Sequence, residues 1–506
     1  MKQKQETATA EADICFVLEG TWPYVRGGVS SWVDQLINGL PDLTFSVVFI
    51  GGQRSTYGEP RYKIPSNVIH LETVFLEDAW QPIPHARRRR THADERELDK
   101  LYRYFHAPQE ADEYAIEQVL QVLTESTVTR ADIMHSRASW DRIVDSYMDH
   151  CPDPSFINYF WTLRTMQAPV MLLAELARRL PRARALHTVS TGYAGLLGCL
   201  LQKRWQCQLM LTEHGIYTKE RKIDLAQATW IAENPDELMN QGLDVEVNYT
   251  RRLWIRFFER IGLLTYHASS VIVALYENNR LRQIKDGAFP ERTRVIPNGI
   301  DLSSWTKLRE ERPKTAPLTV GLIGRIVPIK DVKTFVRAMR SVIDQCPKAK
   351  GWIDAPEEED PEYVAECKSL VASLGLEEHV QFLGFQKIHD VMPKLGVMVL
   401  TSISEAQPLV VLEAWAAGTP VVTTDVGACR EMIEGSADEK PALGHAGTVV
   451  PMASPEATAR SIIDLLKNSE RWRAVQSVGV QRVEANYSDV LMLSRYRTLY
   501  QQLMER

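Results

Sequence analysis

The period of the apolar positions changes repeatedly along the chain, and each change marks an element. Residues 12–20, "ADICFVLEG", form a short apolar run closed by glycine, which predicts a buried strand. In the following "TWPYVRGGVSSWVDQLINGL", Val29, Trp32, Val33, Leu36 and Ile37 recur at helical spacing, so a helix is expected just past Gly27-Gly28. "FSVVFIGG" (45–52) predicts the next strand. Residues 53–180 read differently: they are polar, rich in His and Arg, with helical stretches and few strands, and are expected to be a largely helical insertion.

Strand-like runs return at "ARALHTVS" (183–190), "CQLMLTEHG" (207–215), "ASSVIVAL" (268–275) and "RVIPNGID" (294–301). A polar segment, "TKLREERPKTAPL" (306–318), separates these from a second alternating series. There "TVGLIGR", "AKGWID", "VQFLGF", "VMVLTS" and "TPVVTT" are expected strands with helices between them. Helices at about 455–468, 470–485 and 489–505 close the chain. Strand alternating with helix is the mark of a parallel α/β sheet. The expected architecture is two doubly wound, Rossmann-like domains facing a cleft: residues 1–305 with the insertion at 53–180, then residues 306–485. A helix at 486–506 is expected to pack back on the first domain.

Composition narrows the class. A chain of 506 residues exceeds one ordinary core, and 44% hydrophobic with 25% charged residues is the make-up of a globular enzyme. A net charge of −6 supplies no basic field, which argues against nucleic acid as a partner. The seven cysteines are scattered without a C-x-x-C pair, which excludes a cysteine zinc site and suits a reducing compartment. "MKQKQETATAEAD" has no apolar core of a signal peptide, and "VSTGYAGLLGCLLQ" (189–202) is too short to span a bilayer. The expected location is therefore cytoplasmic. The "ARRRR" run at 86–90 is read as a solvated face, with contact to anionic lipid or a partner as the minor reading.

In open parallel sheets ligands bind beyond the carboxyl ends of the strands. "GRIVPIKD" (324–331) follows the first strand of the second half; Gly324 permits a tight exit, and Arg325 and Lys330 precede a helix. Two cations beside a helix start suit a diphosphate, although a surface basic pair fits the same residues. The segment matches neither the dinucleotide fingerprint nor the P-loop. "SISEAQPLVVLEAWAAGTPVV" places Glu405 in a loop at a strand end and Glu413 one to two turns into a helix that starts at Pro408. The N–H groups of Leu409 and Val410 point at the same space, and carboxylates there can accept bonds from vicinal sugar hydroxyls.

Together, "GRIVPIKD…SISEAQPLVVLEAWAAGTPVVTTDVG" resembles the E-x7-E signature of glycosyltransferase family 4, the retaining transferases of GT-B fold. "LEGTWPYVRGGVSSWV", "LTEHGIYTKER" and "PNGID" extend the resemblance to the first half and point toward transferases of Pel exopolysaccharide synthesis. The resemblance implies Arg325 and Lys330 on the donor diphosphate, Glu405 at the donor sugar, and Glu413 at the nucleotide ribose. It places Gly27-Gly28 in the loop facing the diphosphate and His214 near the donor sugar. His187, Trp22 and Tyr24 are candidates for the acceptor side, and for each a core role fits equally. The resemblance further implies a UDP-sugar donor (UDP-glucose or a UDP-N-acetylhexosamine), a polysaccharide acceptor, no metal, and inner-membrane Pel subunits as partners that hold the protein peripherally at the inner membrane.

Three departures stand out. "WIDAPEEEDPEY" (352–363) lacks the glycine usual after the second strand, Asp331 stands where many members have glycine, and the 53–180 insertion is unusually long. A glycosidase using both glutamates would leave the Arg/Lys pair without a purpose. A silent nucleotide-sugar-binding subunit of a membrane synthase is the other class, separated from the enzyme by donor turnover. A GT-B epimerase or phosphorylase differs by needing no acceptor or by using free phosphate.

Overall fold

The structure, a computed structural model, describes residues 11–82, 92–106, 112–150, 155–227, 249–437 and 439–505; the Arg87–Arg90 run lies outside them. The chain divides into two units, one of residues 1–274, 280–294 and 496–506, the other of 275–279 and 295–495.

The first unit is built on seven strands: β1 (Ala12–Glu19), β2 (Phe45–Gly51), β3 (Val68–Phe75), β4 (Ala183–Thr188), β5 (Gln208–Glu213), β6 (Val271–Ala274) and β7 (Thr293–Val295). Their order is β3-β2-β1-β4-β5-β6-β7, and the pairs from β3 through β6 are parallel. β1 and β2 are apolar on both faces because helices cover both, as buried parallel strands require. Part of the expected insertion belongs to this sheet: β3 pairs with β2 along its whole length. Its half-polar composition, "VIHLETVF", suits an edge strand, which is why its pattern was weak in the sequence. The helical part is the series from His92–His106 to Phe156–Ala177. Its Leu101, Phe105, Leu120 and Leu163 share one core with Val17, Val48 and Leu197.

The second unit has six strands: β8 (Thr319–Ile323), β9 (Lys350–Asp354), β10 (Val380–Gly384), β11 (Val397–Leu400), β12 (Val421–Thr424) and β13 (Gly447–Val450). All five neighbouring pairs in the order β10-β9-β8-β11-β12-β13 are parallel. β11 shows the strand period directly. Val397 and Val399 enter the cluster of Phe335, Met339 and Trp472, while Met398 and Leu400 enter that of Leu412, Trp415 and Met432. β13 was not expected; at four residues, after a polar stretch, it carries little pattern of its own.

Residues 295–305 fall in the second unit and not in the first as expected. The Ile300 N–H donates to Tyr487 O (2.9 Å), and the Asp489 N–H donates back to Ile300 O (3.0 Å). Within the first unit the end of helix Asp489–Met504 supplies Tyr500, whose hydroxyl meets His187 Nδ1 at 2.8 Å, and Arg497, which pairs with Asp42. No helix among the described residues is long and apolar enough to cross a membrane.

Candidate active site

In the second sheet the chain runs from β8 outward to β9 and β10, then returns to the other side of β8 as β11. The crossovers after β8 and β11 therefore leave in opposite directions and open a crevice at their carboxyl ends. Gly324, Arg325 and Lys330 follow β8; Glu405 follows β11. The two loops are stitched together. The Ile403 N–H donates to Ile329 O (2.8 Å) and the Thr401 hydroxyl to Lys330 O (2.9 Å). Across this seam Lys330 Nζ forms an ion pair with Glu405 Oε1, both side chains largely buried. Arg325 reaches outward to Glu359 (2.7 Å) from an exposed position, where such a pair holds weakly and is easily exchanged.

Two further features shape the seam. Gly427 has φ +52°, and a Cβ on it would lie 2.2 Å from Glu405 O and 2.3 Å from Ala406 O. The Ala428 N–H binds Ala406 O at 2.7 Å, so the loop after β12 clamps the glutamate loop from behind. Asp331, which replaces the usual glycine, adopts the left-handed conformation (φ 45°), and its side chain accepts the Thr334 N–H as the cap of helix Val332–Gln345. Aspartate tolerates that conformation and caps well, so the substitution keeps the turn that glycine would give.

Helix Leu409–Ala416 starts after Pro408, and the Val411 N–H already turns back to Pro408 O (3.1 Å). The first N–H groups, those of Leu409 and Val410, have no helical partner by geometry and face outward from the helix start. Glu413 lies on the next turn, half-buried, with no hydrogen bond or ion pair to its carboxylate among the described residues. Desolvation lifts its pKa to about 7. β9 ends on Asp354, at the start of the stretch that lacks glycine. Its Oδ1 accepts the Gln386 N–H (2.9 Å), tying the loop after β10 to the end of β9, while its buried Oδ2 has no protein partner. Burial raises the pKa of this carboxyl too. Sequence reasoning misses Asp354 and Gly427; for Asp354 the glycine-free run "WIDAPEEEDPEY" is the one signal.

In the first unit Gly27 and Gly28 are exposed at the start of helix Gly28–Gly39, with open space where a Cβ would stand. His214, next after β5, is 9% exposed. The Trp32 ring stands edge-on to it at 4.7 Å, its Nε2 is buried without a protein partner, and desolvation depresses its pKa to about 4. At neutral pH it is an uncharged imidazole with one nitrogen left over.

Of the acceptor-side candidates, Trp22 and His187 take the core role and Tyr24 is half-buried. Trp22 is fully buried, with its indole N–H on Asp34 (3.1 Å), so it has no face to offer a sugar. His187 is fully buried, held by Tyr500 and by Thr212 (2.9 Å), and burial pushes its pKa down to about 3. Tyr24 is half-buried on Phe49 (4.6 Å), its hydroxyl on Thr73 (3.1 Å). Each partner lies far off in sequence, so no local pattern shows the burial.

Each unit thus carries a doubly wound parallel sheet, and the second presents two cations paired to carboxylates, two glutamates of different environment and a helix start at its switch point. This is the fold of GT-B glycosyltransferases. Solved structures with the same fold over nearly the whole chain include Anabaena HepE in complex with UDP and glucose (TM-score 0.55, 16% identity, 97% of this chain and 100% of that one). Another is sucrose-phosphate synthase from Thermosynechococcus elongatus (TM-score 0.57, 17% identity, 97% and 99%). The chain belongs to the family described as "Domain of unknown function (DUF3492)", whose model matches residues 12–291, and residues 317–468 match "Glycosyl transferases group 1". Among curated proteins it is similar to a D-inositol 3-phosphate glycosyltransferase of Salinispora tropica, 30% identical over 225 residues (40% of this chain, 44% of the relative). It is also similar to the lipopolysaccharide core mannosyltransferase LpsB of Rhizobium meliloti, 28% identical over 188 residues (37% and 52%). The chain spans about half the length of the curated relatives it matches.

Glu213 and Glu413 both have folded pKa values near 7, above the ordinary value near 4.5. A raised folded value means a contribution to stability that is complete below pH 4.5 and lost as the pH rises through 7. Chemical denaturation of the unliganded protein should therefore show stability falling between pH 5 and 8. Glu413→Gln should flatten that fall by an amount on the order of 2–3 kcal/mol. An unchanged slope in the variant would place Glu413 in water.

Proposed function

We propose that the chain is a retaining glycosyltransferase that moves a sugar from a UDP-sugar to a growing polysaccharide. The observation that carries this reading is the Lys330–Glu405 pair at the β8/β11 switch point, with Arg325 beside it and the start of helix Leu409–Ala416 behind it. A glycosidase has no use for that arrangement, because its leaving group needs a proton and not two cations.

In this reading the donor diphosphate takes Lys330 from Glu405 and Arg325 from Glu359, and the Leu409 and Val410 N–H groups complete its cradle. The bond from the anomeric carbon to the diphosphate oxygen breaks, with its electron pair leaving on the diphosphate. The acceptor hydroxyl oxygen bonds to that carbon from the same face, and its proton passes to the departing phosphate oxygen. Glu405, released from Lys330, accepts hydroxyls of the sugar; Glu413 accepts those of the ribose. By the family resemblance, Gly27-Gly28 lie against the diphosphate and His214 near the sugar. The cations take the role of a Lewis acid, so the reading needs no metal.

The base is proposed as uracil on two supports: the resemblance, and the fold shared with a protein solved with UDP. The narrower assignment, to PelF and the Pel polymer of biofilm matrix beside inner-membrane subunits, rests on "TWPYVRGGVSSWV", "TEHG" and "PNGID". The buried Trp22 and His187 leave acceptor recognition to other residues of the first unit.

Lys330→Ala and Arg325→Ala should each keep their fold and lose roughly 100-fold in donor turnover, since one such stabiliser is worth about 3 kcal/mol in the transition state. Wild-type rates in either variant would sink the diphosphate assignment. Calorimetric titration with UDP separates the glutamates. To accept ribose hydroxyls Glu413 must ionise, so UDP should bind about tenfold more tightly at pH 8 than at pH 6 from this group alone. Glu413→Gln should bind more weakly and lose that part of the pH dependence, leaving only the titration of the diphosphate itself. Glu405→Gln removes the carboxylate that competes for Lys330, so it should bind UDP at least as tightly as the wild type and lose affinity only for the sugar part of the intact donor. The opposite pattern would mean that the two roles are exchanged.

A further inference from the structure

Gln407 lies between Glu405 and the start of helix Leu409–Ala416 and is 7% exposed. Its Oε1 accepts the backbone N–H of Asn298 at 2.7 Å. A backbone N–H can only donate, so this bond fixes which end of the carboxamide is oxygen. The Nε2 end then points away from the Asn298 N–H. Nε2 has no acceptor among the described residues, yet it keeps contact with solvent. Two N–H donors of a largely buried side chain are thus left open in the loop that joins Glu405 to the helix start.

Both ends of this tether are fixed. A Cβ on Gly299, next to Asn298, would lie 2.4 Å from Ser488 O, so glycine is needed for the two backbones to approach this closely. The Gly299 N–H meets Met492 Sδ at 3.4 Å, and Ile300 exchanges backbone bonds with Tyr487 and Asp489. On the other side Ala406 O takes the Ala428 N–H (2.7 Å), and Pro408 restricts the backbone that follows. The carboxamide is therefore held in one orientation, its oxygen bound and its nitrogen available. Filling the Asn298 N–H alone would need an acceptor and nothing more. The unused donors call for a ligand that brings acceptor oxygens.

We infer that Gln407 is a sugar-nucleotide-binding residue whose Nε2 donates a hydrogen bond to a diphosphate oxygen. This rests on the proposed function, in which Lys330 and the N–H groups of Leu409 and Val410 hold the same diphosphate. An anionic oxygen is the acceptor that gains most from such an N–H, because bonds to charged groups are about twice as strong as neutral ones. A nitrogen already oriented by the bond to its own oxygen needs little further ordering when the ligand arrives.

A hydrogen bond to a charged group is worth about tenfold or more in affinity. In calorimetry at pH 8, Gln407→Glu and Gln407→Leu should each bind UDP at least tenfold more weakly than the wild type. Gln407→Glu keeps an acceptor for the Asn298 N–H, so release of that tether does not explain its loss. Gln407→Leu adds no charge, so repulsion of the diphosphate does not explain the other. Wild-type UDP affinity in either folded variant would overturn the inference. A crystal structure of the wild type with UDP joins the two losses to one cause, and it decides alone should Gln407→Leu fail to fold. Nε2 within about 3.2 Å of a diphosphate oxygen supports the inference; Nε2 bound only to protein or water defeats it. Lys330→Ala keeps the two levels apart. If the wild type binds no UDP, or Lys330→Ala binds it as tightly as the wild type, the proposed diphosphate site falls and this inference with it. If Lys330→Ala binds weakly while the Gln407 variants do not, only the role of Gln407 falls.

Discussion

The ion pair between Lys330 and Glu405 is the interaction on which the second unit's site depends. It joins the loops that follow two adjacent strands, β8 and β11, at the place where the chain reverses its winding. Each partner alone would be a largely buried, uncompensated charge, a condition that costs several kcal/mol. The pair thus ties the loops after β8 and β11 together, and in the proposed function both groups stand beside the donor. A diphosphate brings more negative charge than one carboxylate, so it can draw the lysine away from Glu405, whose carboxylate is then left to accept the hydroxyls of the sugar. Backbone ties from Ile403 and Thr401, and the Gly427 turn pressed against the glutamate loop, keep the seam in register during such an exchange.

The two glutamates of the signature are chemically alike and differ only in surroundings. Glu405 faces a cation; Glu413, on the first helical turns behind it, faces none and is pushed up toward neutrality by desolvation. Eight residues of sequence give them one chemistry, and packing gives them two. The same rule operates in the first unit, where Glu213 is buried among donors and His214 beside it keeps an unfilled nitrogen.

The fold was legible in the sequence wherever a strand is buried on both faces, because a continuous apolar run leaves little choice of element. β1, β2, β5, β8, β11 and β12 are of that kind. It was not legible where the pattern is diluted. The edge strand β3 mixes His70, Glu72 and Thr73 into its run, and β13 is too short to declare itself. Arg325, Lys330 and Glu405 could be placed after strand ends, and Glu413 in a helix that begins after Pro408, because the neighbouring strands are continuous apolar runs. The state of Trp22 and His187 was not, since Asp34, Thr212 and Tyr500 bury them from elsewhere in the chain. Asp331 shows a third case, in which a departure from the family pattern preserves the geometry through a different property of the residue.

In the proposed function the Lys330–Glu405 pair holds the place that the donor takes. The most direct test is a crystal structure of the protein with UDP bound. Lys330 Nζ should lie within hydrogen-bonding distance of a diphosphate oxygen, with the contact to Glu405 broken and the Glu405 carboxylate open toward the sugar position. A complex in which Lys330 stays on Glu405 while the diphosphate lies elsewhere would contradict it.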